Sequence, residues 1–68
     1  MKLKAKSTQI AFDGLTTFIE GKIYNTARTF PHNELLATGE DDRYHILPNH
    51  KEERDGKQGW AHKFEELK

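Results

Sequence analysis

Turn signals punctuate this chain too often for any long helix. Asp13-Gly14, Glu20-Gly21, Pro31, the run Gly39-Glu40-Asp41-Asp42, Pro48-Asn49 and Asp55-Gly56 cut it into short pieces. Short apolar segments bounded by such residues at a spacing of roughly 8 to 12 read as the strands of a small all-β barrel. No stretch keeps a helical period long enough to cover one face of a sheet, which argues against ferredoxin-like and α/β arrangements.

The pieces themselves carry the strand pattern. In KLKAKST, residues 2 to 8, Lys2, Lys4 and Lys6 alternate with Leu3 and Ala5, the period of two of a half-buried strand. QIAFDGLTTF follows, and its Asp13-Gly14 turn predicts a loop that folds Ile10, Phe12 and Leu15 back onto the core. Residues 22 to 30 are rich in β-branched and aromatic types and read as a second strand, ended by Pro31. For PHNELLATG, residues 31 to 39, Pro31 at the start and Gly39 past the end predict a short helical turn, although alternation through Leu35 and Ala37 also suits a strand. RYHIL, residues 43 to 47, reads as a third strand. Residues 49 to 58 hold no apolar side chain and read as a solvated loop with a tight turn at Asp55-Gly56. Gly59 to Lys63 reads as a fourth strand carrying Trp60, and KFEEL plants Phe64 and Leu67 on the core.

The chain has 68 residues and reads as a single domain, 1–68. At that size folding buries only about 60% of the surface the unfolded chain exposes. Valine is absent, and Leu, Ile and Phe together number 14, so the core must draw on the seven aromatic residues. With no cysteine, disulfides and thiolate zinc sites are excluded as a source of stability. A well-closed sheet or self-association as a homodimer would serve instead. The segment MKLKAKSTQ has no apolar h-region, and no stretch approaches the roughly 20 apolar residues of a membrane span. The expectation is a soluble, cytoplasmic protein with no membrane role.

Catalytic and metal chemistry find little support. His45, His50 and His62, with Asp41 and Asp42, supply ligand types, but a strand and a loop do not make them converge, so no metal and no cofactor is expected. The only serine is Ser7, with no Gly-x-Ser-x-Gly elbow around it. Glu52-Glu53 and Glu65-Glu66 are consecutive and diverge on any regular element. Gly21-Lys22 is followed by Ile23 and leads into a strand, unlike a phosphate loop. No catalytic residue is assigned, and an enzyme is the least supported class.

Binding classes remain. The 11 basic residues balance the 11 acidic ones, which denies the chain the overall attraction to phosphate that dominates nucleic-acid affinity. Lys2, Lys4 and Lys6 nevertheless form a basic stripe that a nucleic-acid-binding barrel would use, and lysines on an edge strand would also block aggregation with no ligand at all. Tyr24, Tyr44 and Trp60 would line a groove for a proline-rich peptide or else fill the core. Phe30, His32, Leu35 and Leu36, followed by Glu40, Asp41 and Asp42, have the apolar-then-charged make-up of a protein-binding patch. Leu35 and Leu36 would alternatively cap one end of the barrel.

The order EGKIY, DDRYHIL, GW and HKFEEL resembles a group of small SH3-like barrel proteins encoded by bacteriophages and prophages. The matching positions are Gly21, Lys22, Ile23 and Tyr24, then Asp42, Tyr44 and Ile46, then Gly56 and Trp60, and last Phe64 and Glu65. Residues 31 to 39 and the charged loop 49 to 58 depart from the pattern, and a function particular to this chain would sit there. The resemblance implies an SH3-like barrel of four to five strands with one short helical turn, in the host cytoplasm. It implies a non-enzymatic protein-binding module that acts on a host or phage protein, as an accessory or inhibitor of a host factor. The expected contact surface is Phe30, His32, Leu35, Leu36, Glu40, Asp41 and Asp42. The alternative is a nucleic-acid-binding barrel using Lys2, Lys4 and Lys6.

Overall fold

A computed structural model describes residues 1–67. Its elements run β1 (Lys2–Ala5), β2 (Gln9–Ile10), β3 (Thr16–Phe18), β4 (Ile23–Arg28), β5 (Leu35–Thr38), β6 (Tyr44–Leu47), a 3-10 turn (Trp60–His62) and β7 (Phe64–Leu67). The fold is all-β, as the spacing of the turns predicts. Five strands form one antiparallel sheet in the order β6-β5-β4-β1-β7, and β2 and β3 form a separate hairpin. The outer strands β6 and β7 are not paired with each other, so the sheet is not closed.

Strand β4 joins the two halves of the sheet. Its residues Ile23 to Asn25 pair with β1, and Thr26 to Arg28 pair with β5. At the junction Thr26 donates both its N–H and its hydroxyl to the Met1 carbonyl, at 2.9 and 2.7 Å. Alternation then sorts the side chains. Leu3 and Ala5 of β1, Leu35 and Ala37 of β5, Tyr24 and Leu47 face inward with Trp60 and Phe64.

The separate hairpin contributes the centre of this core. Phe18, at the end of β3, meets Tyr24 and Phe64 edge-on with ring centroids 4.9 and 5.1 Å apart. Such pairs add roughly 0.5 to 1.5 kcal/mol each beyond the area they bury. The rest of the hairpin does not fold inward as the sequence predicts. Ile10, Phe12 and Leu15 stand in solvent around the Asp13-Gly14 turn, where Asp13 accepts the Leu15 N–H at 3.0 Å. The hairpin is held by its own ladder and turn bonds, among them the Ala11 N–H to the Leu15 carbonyl at 2.9 Å, and its tip projects away from the core.

Residues 31 to 39 are likewise not helical. Leu35 to Thr38 lie between β4 and β6, and both neighbours supply ladder bonds that outweigh the helix-like Pro31 and Gly39 signals. Gly39 is required for close approach, not for a helix cap: a β-carbon there would lie 2.7 Å from the Thr17 carbonyl oxygen.

Trp60 sits on the 3-10 turn and not on a strand. The N–H groups of Trp60 and Ala61 donate to the carbonyls of His50 and Lys51, at 3.0 and 3.1 Å, so the chain turns there instead of pairing. These bonds anchor the charged loop, which is solvated as predicted and reverses at Asp55-Gly56, both with positive φ.

Candidate functional site

The residues singled out from the sequence fall into two separated groups. Phe30 and His32 lie in the exposed connection from β4 to β5, where Arg28 reaches the Asn33 carbonyl and the Asn49 side chain. Glu40, Asp41 and Asp42 form the turn from β5 to β6. The four-residue strand β5 stands between the two groups, a separation of roughly 13 Å at 3.3 Å per residue. Leu35 is in the core at 1% exposure and is not available to a partner. Leu36 faces outward, half-buried.

Two of the acidic side chains are engaged locally. Glu40 pairs with Lys22 and holds its ammonium pKa above the usual lysine value. His45 donates from Nε2 to Asp41, 3.0 Å from Oδ1, and this bond is the main cause that holds the carboxyl below the usual aspartate range. The Arg43 backbone N–H also donates to Asp41, at 3.2 Å, while burial of the carboxyl works in the opposite direction. His32, His45, His50 and His62 lie on separate elements, and among the described residues no three His, Cys, Asp or Glu side chains gather where they could hold a metal.

The lysine stripe is placed differently from the expectation. Strand β1 lies between β4 and β7, so Lys2, Lys4 and Lys6 guard no edge. Lys4 stands opposite Glu65, and Lys6 donates its ammonium to the Ala61 carbonyl at 2.7 Å. Of the three aromatics that would line a groove, Tyr24 and Trp60 are buried and only Tyr44 is exposed. The Tyr24 hydroxyl accepts the Ile19 N–H at 2.8 Å.

A different surface is concave and partly apolar. A groove of about 350 Å³ runs between β2 and β6. Ile10 and Ala11 flank it on one side, Ile46 and Pro48 on the other, and the buried rings of Phe18 and Trp60 line it from within. Sequence reasoning missed it because its walls are more than thirty residues apart in the chain. The one available signal was RYHIL, whose alternation leaves either Tyr44 and Ile46 or His45 and Leu47 facing outward. A second, larger cleft of about 630 Å³ lies against β7 and carries charges of both signs, including Lys51 with Glu66 at 3.6 Å.

Compared with protein-family models, with curated proteins and with solved structures, the chain matches none of them.

Proposed function

We propose that this chain is a non-enzymatic protein-binding module built as an SH3-like barrel. Support for the barrel comes from the element order: a strongly shared β4, a side hairpin between β1 and β4, and a 3-10 turn just before the last strand. The observation that carries the binding reading is the groove between β2 and β6, with Ile10 and Ile46 each 65% exposed at its margins. Apolar side chains held in water beside a concave surface are the usual make-up of an interaction site. Against catalysis stand the exposed positions of Ser7, Glu52, Glu53, Glu65 and Glu66, none of them shut away from water. The narrower reading, an accessory or inhibitor protein of phage type acting on a host factor, rests on the resemblance of the sequence alone.

Nucleic-acid binding is the weaker reading. The stripe it needs is short, opposed by Glu65, and unsupported by a chain of zero net charge. Two variants separate the readings when tagged protein is incubated with bacterial lysate. Ile10→Glu combined with Ile46→Glu is expected to abolish retention of a protein that survives nuclease treatment, while Lys2, Lys4 and Lys6 changed together to Ala leave it intact. Retention of nucleic acid only, lost in the lysine variant, overturns the protein-binding reading.

A further inference from the structure

Each of the two strands that flank the groove leaves backbone groups unused by its own ladder. In the β5–β6 ladder, Gly39 donates to the Arg43 carbonyl at 3.0 Å. Antiparallel pairing alternates from that point, so His45 and Leu47 bond to β5 while the N–H and C=O groups of Tyr44 and Ile46 point away from it. Strand β6 is an outer strand paired only with β5, so among the described residues no ladder or loop bond takes up these groups. Across the groove, Ala11 donates to the Leu15 carbonyl at 2.9 Å, and the same alternation turns the backbone groups of Ile10 away from β3.

The groove also has a sign of charge. The ionisable residues lining the groove are His45, His62 and Lys63, with no carboxylate among them. Lys63 is the charged side chain of this lining, and His45 is held by the Asp41 carboxylate behind it.

We propose that the groove takes an extended segment of a partner protein, added as a strand along β6 and carrying alternate apolar side chains with at least one carboxylate. This rests on the protein-binding reading and names the form of the partner. Main-chain bonds to Tyr44 and Ile46 hold the segment, its inward side chains lie against Ile10, Pro48 and Trp60, and its carboxylate meets Lys63. The β6 strand of a second copy, Tyr44–Leu47, carries no carboxylate to meet Lys63 and is the poorer match.

The test selects short random peptides on the immobilised protein and follows backbone amide exchange of the isotope-labelled protein with the peptides obtained. The expected peptides alternate apolar and acidic residues and slow exchange at Tyr44 and Ile46 about tenfold or more. N-methylating every second peptide nitrogen in one register abolishes binding, and in the other register leaves it. Ile46→Pro removes an outward N–H that the β5 ladder does not use, and weakens binding about tenfold. If that variant does not fold, the N-methyl series carries the test. Peptides that bind without slowing those amides, a proline-rich consensus, or no binder at all overturn strand addition. The nuclease-resistant capture described above then decides separately whether the protein-binding reading stands. Slowed exchange at Tyr44 and Ile46 when the protein alone is concentrated overturns the proposal in favour of a second copy.

Discussion

Ile46 stands opposite Leu36 across the β5–β6 ladder, on the outside of the sheet, and keeps 65% of its surface in water. Its neighbours in sequence, His45 and Leu47, turn inward. The two faces of this ladder should respond differently to substitution. Ile46→Lys is expected to change unfolding free energy by no more than about 0.5 kcal/mol. Leu35→Ala, on the inner face, should cost about 2 to 5 kcal/mol, a large part of the stability of so small a domain. Urea titration followed by Trp60 fluorescence measures both. Equal losses would mean that the outer face is covered.

Gly59 lies against the carbonyls of the charged loop. A β-carbon there would sit 2.2 Å from the Lys51 carbonyl oxygen and 2.5 Å from that of His50. Gly59→Ala must therefore displace the carbonyls that accept the Trp60 and Ala61 N–H groups. A loss of about 1 to 3 kcal/mol is expected, read as a lower urea midpoint at unchanged slope. An unaltered midpoint would show that the loop is not held against the 3-10 turn.

The Tyr24 hydroxyl ties the connection before β4 to the core through the Ile19 N–H. Tyr24→Phe keeps the edge-on contact with Phe18 and removes only the acceptor. The expected cost is about 1 kcal/mol, with faster amide exchange at Ile19 as the specific sign. Unchanged exchange at Ile19 would contradict the assigned bond.

Stability should fall in acid through Asp41. Its carboxyl is held below the ordinary aspartate value chiefly by the His45 hydrogen bond. Between the lowered value and the ordinary one, the unfolded chain binds the proton and the folded chain does not, so stability rises with pH in that window. The contribution is complete above the unfolded value, near pH 4, and disappears as pH drops through the folded value. Asp41→Asn should flatten the acid limb of a stability profile. An unchanged profile would remove the pair from the account.

Local pattern made part of this structure legible and tertiary pairing hid the rest. The alternation of Lys2 to Ala5 needs only its own period to place Leu3 inside, and Asp55-Gly56 carries its turn geometry in its own residues. Leu35 to Thr38 became a strand because β4 and β6 lie on either side, information held far away in the chain. The same holds for β1: its lysines look like an edge guard until β4 and β7 are seen to enclose it. Ile10 and Phe12 gave no sign of facing water, since a hairpin and a folded-back loop share the same turn residues. The groove is a meeting of Gln9 and Ile10 with Ile46, and no spacing in the sequence announces it.

The most direct test of the account is a map of amide shifts in the isotope-labelled protein on addition of the protein it captures from nuclease-treated lysate. The account predicts a saturable response centred on Gln9, Ile10, Tyr44, Ile46 and Lys63. Shifts confined to Lys2, Lys4 and Lys6 or to Phe30 and His32, or no captured protein to add, would contradict it.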